Sequence, residues 1–182
     1  SNTLEKTIPT AKANVSNTEI NFVDMPNAVQ SNISLTSNVE FSMSDDDYHA
    51  VLIANKILGG GFNSYLNMNL REEHGYTYGA RSSIGASRYR VSRFTASTAV
   101  RNMVTDSAVI EIVKEINKIR DTFVDAEKLK NAKAKYVGDF VLALERPSTV
   151  AGYALDVIYN NLPENFYENY LEKINAVTVE DV

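Results

Sequence analysis

Apolar and polar residues alternate near the start of the chain. The alternation runs through Thr18–Asp24, and after a turn at Met25-Pro26-Asn27 it places Val29, Ile33 and Leu35 on one face. A period of two residues is typical of a strand that is buried on one side. We therefore predict two antiparallel, half-buried strands in this part of the chain.

Two further runs of strand-like composition lie in the middle of the sequence. Tyr76–Ile84 and Tyr89–Val100 are rich in aromatic, β-branched and small residues, and Gly85-Ala86-Ser87 separates them. Gly and Ser between two such runs are typical of a hairpin. We expect these strands to pair, which brings the predicted total to four.

From Val104 onwards the period changes from two residues to three or four. The apolar positions in this stretch are Val109, Ile112, Val113, Ile116 and Ile119. This stripe predicts a helix laid on a sheet, with Thr105 or Asp106 as its N-cap.

Four other segments have helical patterns: Tyr48–Leu58, Asp125–Leu144, a helix that begins at Pro147 and is broken near Asn160, and Glu164–Ile174. Most strands precede most helices, and hairpins connect the strands. We therefore predict an α+β fold, with helices on one face of a mainly antiparallel sheet.

The most distinctive stretch is Leu58–Ala80, which reads LGGGFNSYLNMNLREEHGYTYGA. Three consecutive glycines, Gly59, Gly60 and Gly61, have no Cβ, so this turn can be tight or can approach another backbone closely. A phosphate-binding loop is disfavoured, because no Gly-Lys-Ser/Thr follows.

A short helix is predicted directly after the glycines. Asn63 or Ser64 can cap it, Leu66 and Leu70 give it an apolar stripe, and Gly75 is suited to end it in a left-handed conformation. The order is therefore turn, helix, glycine stop and strand.

Two polar side chains stand at the ends of these elements. Arg71 lies in the last turn of the predicted helix, and Tyr78 lies at the start of the strand that follows. We expect both side chains to face the same space. Taken alone, however, an Arg at a helix end is commonly a surface charge and a Tyr in a strand is commonly part of a core.

This ordered set closely resembles the C-terminal half of the pitrilysin, insulysin and mitochondrial processing peptidase family of zinc peptidases. Three other segments resemble the same half-molecule, namely Asn27–Ser31, Tyr48–Leu52 and Asp125–Leu129. The resemblance covers roughly Thr18 to Val182. It implies one half of a clamshell in which two α+β halves close around a peptide chamber.

The resemblance also implies roles for two residues. In that family an Arg, six intervening residues and a Tyr follow the glycine-rich turn, which corresponds here to Arg71 and Tyr78. Tyr78 would stabilise the oxyanion that forms on the scissile carbonyl, and Arg71 would hold a substrate carbonyl or carboxylate.

The zinc site of this family requires a His-x-x-Glu-His motif. The chain has two histidines, His49 and His74, which are 25 residues apart and lack the required Glu. We therefore expect no metal site in this chain and no peptidase activity from it alone. Zinc is expected in a partner half, which is either an N-terminal domain of the same protein or a separate subunit, and the substrate would be an extended peptide.

Composition narrows the remaining possibilities. The 182 residues carry a net charge of −5 and include no cysteine. This charge disfavours nucleic-acid binding, which requires a positive field. The absence of cysteine excludes disulfides and thiolate metal sites. No apolar run is long enough to span a membrane, and composition does not assign a compartment.

The two ends of the sequence suggest domain limits. Residues 1–16 are polar and are predicted to be a linker, in which Ser1-Asn2 resembles the remnant of a removed tag. Residues 17–182 are predicted to form one domain. Thr178–Asp181 has the pattern of a capping box, so we expect the sequence to stop before a last helix and strand.

Two functions are compatible with these observations. The first is the non-metal half of a zinc endopeptidase. The second is a non-catalytic structural or peptide-binding subunit of the same superfamily. The presence of both Arg71 and Tyr78 favours the first.

Overall fold

Three antiparallel strands form the sheet on which the domain is built. The computed structural model describes residues 14–86, 88–89 and 91–182, and these include β1 (Gln30–Val39), β2 (Thr77–Ile84) and β3 (Ser92–Arg101). The strand order is β1-β3-β2, so β3 is central. Gln30 pairs with Arg101 at one end of the sheet and Val39 pairs with Ser92 at the other.

Six α-helices accompany this sheet within the described residues: α1 (Tyr48–Leu58), α2 (Tyr65–Asn67), α3 (Thr105–Asp121), α4 (Ala126–Ala143), α5 (Pro147–Asn160) and α6 (Tyr170–Ala176). Helix α2 continues directly into a π-helical segment, Met68–Glu73. The predicted α+β class, with a mainly antiparallel sheet and packed helices, is confirmed.

One face of the sheet packs against helices. Apolar residues that alternate along the strands meet residues of α1, α2 with its π-helical segment, and α3 in one buried cluster: Ile33, Leu58, Leu66, Leu70, Ala80, Ala96, Val100, Ala108 and Ile112. Leu66 and Leu70 are fully buried. Burial of this cluster anchors the segment that carries Arg71 to the back of the sheet.

A second core lies mainly among the helices, where Val39 of β1 and Ile84 of β2 also pack against it. It joins α1 to α4 and α6 through residues that include Ile53, Ile57, Leu129, Phe140 and Ile174. Helix α1 contributes to both cores, because Leu58 faces the first and Ile53 and Ile57 face the second. The helix before the glycine-rich turn is thereby fixed on two sides.

The opposite face of the sheet carries small polar side chains. Asn32, Ser34 and Thr36 of β1 and Ser83 of β2 are exposed, whereas Ser97 of β3 is half-buried between its neighbours. Because side chains alternate along a strand, the same alternation that buries Ile33 and Ala96 presents these residues on the other side.

The predicted strand Thr18–Asp24 is wrong. The segment has no strand partner in the described residues, and Ile20 and Phe22 are 86% and 80% exposed. Val29 also lies outside β1 and is 86% exposed. Alternation shows that a segment can bury one face, but a strand also needs a hydrogen-bonding neighbour.

Some predicted helix boundaries are also wrong. The segment predicted as a helix from Glu164 begins only at Tyr170, because turns occupy the residues between. Ser64 is the N-cap of α2 but its side chain makes no capping hydrogen bond, and Val104 rather than Thr105 or Asp106 precedes α3. In contrast, the predicted bounds of α1 are confirmed.

The ends of the chain are described in part. The predicted linker falls mainly on residues 1–13, which lie outside the described residues, as does Ser87 of the predicted turn. At the other end Thr178 and Asp181 form a reciprocal capping arrangement. Asp181 Oδ2 accepts from the Thr178 N–H at 2.7 Å, and Thr178 Oγ1 accepts from the Asp181 N–H at 3.2 Å.

No helix among the described residues is long and apolar enough to cross a membrane.

Candidate functional site

The glycine-rich turn lies against the middle of β2. The backbone N–H of Ser82 donates a hydrogen bond of 3.1 Å to the Gly59 carbonyl. A Cβ at position 59 would be 2.2 Å from the Ser82 nitrogen, closer than any non-bonded contact allows. Only glycine fits here, and the turn therefore fixes the start of the next helix relative to the strand.

The helix after the turn begins as α2 and continues as the π-helical segment, which is wider than an α-helix. The His74 N–H donates to the Asn69 carbonyl at 3.1 Å, five residues back, as in a π-helix. Gly75 follows with φ +61°, the left-handed conformation that favours glycine. Segments of this kind occur frequently at functional sites, because they shift side chains away from α-helical positions.

Arg71 projects from this segment and remains accessible. Its side chain is 36% exposed, its guanidinium carbon lies 4.6 Å from the centre of the Phe62 ring, and its Nε is 3.5 Å from Glu72 Oε1. The aromatic ring supports the cation without neutralising it, and an ion pair this exposed adds little stability. The guanidinium thus keeps donors available for another partner.

Asn67 connects the turn to β2 in a buried position. Its side-chain nitrogen donates to the Phe62 carbonyl at 2.7 Å, and its side-chain oxygen accepts from the Ala80 N–H at 3.3 Å. Because Asn67 is only 5% exposed, these bonds form in a low-dielectric environment where loss of a partner is costly. Asn67 therefore fixes the start of β2 relative to the helix that carries Arg71.

The start of β2 contains a β-bulge at Tyr78. Thr77 pairs with Val100 and Ala80 pairs with Thr98, so Tyr78 and Gly79 together face the single residue Ala99. A bulge of this kind bends the strand and re-aims a side chain.

Two threonine hydroxyls hold the bulge in place. Thr98 Oγ1 lies 2.9 Å from Thr77 Oγ1 and 3.0 Å from the Gly79 carbonyl, and the Gly79 N–H donates to Thr77 Oγ1 at 3.1 Å. These bonds satisfy backbone groups that the bulge removes from the ladder. The distortion is thus stabilised by specific side chains and is not a frayed strand end.

Tyr78 stands on this bulge with almost its whole side chain in solvent. It is 92% exposed, the largest exposed fraction among the exposed large apolar and aromatic residues that are described. It lines an open groove of about 610 Å³ on the polar face of the sheet, together with Asn32, Ser34, Ser97 and Arg81. Arg71 is not among the residues that line this groove.

A polar network lies behind the π-helical segment. The Asn69 amide donates to Glu115 Oε1 at 2.8 Å and to Glu111 Oε2 at 3.1 Å, and His74 Nε2 is 3.7 Å from Glu111 Oε2. Hydrogen bonds from Lys114 and Asn69 lower the pKa of Glu111 below its usual range. The network ties the segment to α3, and it explains why Glu115 is buried in an otherwise apolar helix face.

The two histidines do not form a metal centre. His49 is buried against the rings of Phe166 and Tyr170, and this burial, helped by Lys173, lowers its pKa to about 4. His74 stacks on Tyr76, with ring centres 4.8 Å apart. Within the described ranges no group of His, Asp and Glu residues could hold a metal ion, so the side chains present here do not fit the zinc site of a peptidase.

Asn67, Thr77 and Thr98 support the site but were not predicted from the sequence. The signal for Asn67 was an amide between Leu66 and Met68 in an apolar helix, where a polar residue needs a buried partner. The threonines gave no comparable signal, because Thr is common in strands.

Comparison with protein families gives a match over most of the chain. The model of the family described as "Peptidase M16 inactive domain" matches residues 5–136. Comparison with curated proteins gives no significant match.

Solved structures with the same fold include proteins from several bacteria. The peptidase M16 inactive domain from Pseudomonas fluorescens is 23% identical, with a TM-score of 0.78 over 85% of this chain and 36% of that one. A conserved protein from Enterococcus faecalis is 26% identical, with a TM-score of 0.74 over 85% and 36% of the two chains. The periplasmic protease PqqL from Escherichia coli is 11% identical, with a TM-score of 0.67 over 85% and 17%.

The chain thus spans about a third of the length of the first two of these proteins. The family match covers more than half of the 182 residues, and the arrangement of sheet and helices agrees with these structures. The chain therefore belongs to the M16 peptidase family and is an inactive domain of the C-terminal type.

Proposed function

We propose that this chain is the non-metal half of a zinc endopeptidase and that it forms one wall of a peptide chamber. A zinc-bearing half, on the same chain or on a partner subunit, would form the other wall. Extended peptides would lie between the two halves. Membership of the M16 family supports this division of labour, since the matched family model describes an inactive domain.

Tyr78 is the residue that carries the proposal. A phenol that is 92% exposed on a strand contributes little to the core, yet Thr77, Thr98 and Asn67 hold the bulge beneath it in a defined shape. A pre-positioned O–H donor can stabilise the negative charge that develops on a scissile carbonyl oxygen. We assign this role to Tyr78.

Arg71 is proposed to hold the substrate in register. Its guanidinium is permanently charged and can donate two parallel hydrogen bonds to a carboxylate, or a hydrogen bond to the single oxygen of a main-chain carbonyl. Support comes from its partial exposure and from its position at the end of a segment fixed by Leu66, Leu70 and Gly75.

Replacement of Tyr78 by Phe tests the proposal. In the protein assembled with its zinc-bearing half, Tyr78→Phe should lower kcat for peptide hydrolysis by about 100- to 1000-fold, the size of effect that follows loss of one oxyanion donor. The measurement is steady-state cleavage of a quenched fluorescent peptide.

Tyr76→Phe is the matched control, because it removes the same hydroxyl two residues earlier, where the ring stacks on His74. It should leave kcat nearly unchanged. Equal activity of Tyr78→Phe and the unsubstituted protein would remove Tyr78 from the mechanism. Absence of activity in the unsubstituted assembly would favour a non-catalytic member of the superfamily.

A further inference from the structure

The groove beneath Tyr78 is positively charged, and the charge comes from Arg81. Among the described residues that line it, Arg81 is the one charged side chain, and the others are neutral, such as Asn32, Ser34 and Ser97. This local positive charge contrasts with the net charge of −5 for the whole chain. An electropositive groove on an acidic domain indicates that the groove has its own binding preference.

The neighbours of Arg81 in the sheet leave its charge unpaired. Arg81 pairs with Ser97 on β3, and Ser97 pairs with Ser34 on β1, so a row of two serines lies beside the guanidinium. Their side chains are too short and neutral to balance a cation. Within the described residues, no carboxylate lies within salt-bridge distance of Arg81, which is exposed.

Arg81 and Tyr78 lie at a distance that a bound peptide would span. They are three residues apart on β2, but the bulge shortens this span to that of the two residues from Ala99 to Ser97 on β3, which corresponds to about 7 Å. An extended peptide has nearly the same spacing per residue. A peptide whose scissile carbonyl lies at Tyr78 would therefore place a group two or three residues away near Arg81.

We propose that Arg81 selects peptides that present a carboxylate two or three residues from the bond that is cut. The inference rests on the proposed function, because it takes Tyr78 as the position of the scissile carbonyl. The carboxylate can belong to an Asp or Glu side chain or to the C-terminus of a short peptide, and both present the planar acceptor that a guanidinium binds.

The experiment compares matched peptides on the assembled protein. Each pair carries Glu or Gln at one position, two or three residues before or after the cleaved bond, and each is made with a free or an amidated C-terminus. We expect kcat/KM to favour Glu, or the free terminus, by about three- to fivefold at one position, as suits one solvent-exposed ion pair. Arg81→Gln should remove this preference, and Arg81→Glu should shift it towards Lys.

Arg93→Gln is the matched control. Arg93 is an exposed arginine on β3 that pairs with Asn38 and does not line the groove, so its replacement removes the same charge elsewhere. It should leave the preference intact. An equal Glu/Gln ratio in Arg81→Gln and the unsubstituted protein, or an equal loss of the ratio in Arg93→Gln, would overturn the proposal.

A binding measurement separates this proposal from the proposed function. Fluorescence anisotropy of the same labelled peptides, measured with the assembled protein, should show the carboxylate preference and its loss in Arg81→Gln, whereas Tyr78→Phe should keep it. If no peptide is cleaved but the preference in binding depends on Arg81, the peptidase assignment fails and the assignment of Arg81 stands. If peptides are cleaved but neither binding nor cleavage depends on the carboxylate, the assignment of Arg81 fails and the peptidase assignment stands.

Discussion

Two tyrosines of this domain lie in opposite environments. Tyr78 is 92% exposed on the bulge of β2, whereas Tyr170 is 4% exposed in α6. Tyr170 is part of an aromatic cluster with Phe140, Tyr153, Phe166 and Tyr167. Its hydroxyl lies 2.9 Å from that of Tyr136, and its ring centre lies 4.9 Å from that of Phe140.

The comparison separates a residue that the fold needs from one that it does not. Burial raises the pKa of Tyr170 far above its usual value, so its phenol stays neutral and serves packing. Tyr78 contributes almost no buried surface, yet hydrogen bonds define the backbone beneath it. A side chain that is well positioned but is not used for packing is available for chemistry.

The largest effect on stability is expected in the aromatic cluster. Tyr170→Ala should lower the free energy of unfolding by about 3–5 kcal/mol, because it removes a buried ring and leaves a cavity. Tyr170→Phe should cost only about 1 kcal/mol, since it loses the hydrogen bond to Tyr136 and keeps the ring. Urea denaturation followed by circular dichroism measures both values.

Tyr78→Ala provides the contrast to this prediction. Its effect on the same free energy should stay below about 0.5 kcal/mol, as for an exposed position without special contacts. A loss comparable to that of Tyr170→Ala would show that Tyr78 packs against something and would break the distinction between the two tyrosines.

An intermediate loss of stability is expected from a substitution in the glycine-rich turn, which packs against β2. Gly59→Ala would place a methyl group 2.2 Å from the Ser82 nitrogen, so the turn and β2 must separate. We expect destabilisation of about 1–3 kcal/mol, as for other overpacked sites. The midpoint of thermal unfolding reports this loss.

Gly61→Ala is the appropriate control for that substitution. A Cβ at position 61 would meet only the end of the Lys56 side chain, at 4.0 Å. Its midpoint should be close to that of the unsubstituted protein, and equal losses at both glycines would argue against the close contact with β2.

A smaller effect, which depends on pH, is expected at His49 in the helical core. Its pKa is lowered to about 4 by burial and by Lys173, whereas an unfolded His titrates near 6.5. The unfolded state therefore binds more protons between these values, so stability should fall on acidification from about pH 6.5 towards pH 4. The slope should reach at most about 1.4 kcal/mol per pH unit.

Denaturation series at several pH values, compared with His49→Gln, isolate this contribution. The variant should lack the part of the slope that belongs to His49. A variant with an unchanged pH profile would mean that His49 is accessible to protons in the folded domain, and the helical core would then be looser than its burial indicates.

Much of the fold could be predicted because local patterns determine it. The helical pattern of Tyr48–Leu58 predicted the bounds of α1, and the composition of β2 and β3 predicted the central hairpin. The segment Thr18–Asp24 misled because a period of two residues specifies a buried face but not a neighbouring strand. The late start of α6 escaped prediction because turns and helices share many polar residues.

The sequence predicted which residues belong to the candidate site but not how they are positioned. Arg71 and Tyr78 stood out through their order after the glycines, but their positions depend on two irregularities. The bulge arises from the register between β2 and β3, which depends on residues 18 to 23 positions apart, such as Ala80 with Thr98 and Thr77 with Val100. The π-helical segment depends on bonds between Asn69 and α3, and neither irregularity leaves a local pattern in the sequence.

The π-helical segment has a consequence for how this domain could diverge. It holds one more residue than an α-helical turn would need, so deletion of a single residue within Met68–Glu73 would rewind it to ordinary geometry. Each residue turns an α-helix by about 100°, so the guanidinium of Arg71 would rotate about the helix axis by a similar angle. The rest of the surrounding sequence would stay unchanged. A lineage could thus lose this group's placement through one missing codon without replacing either Arg71 or Tyr78.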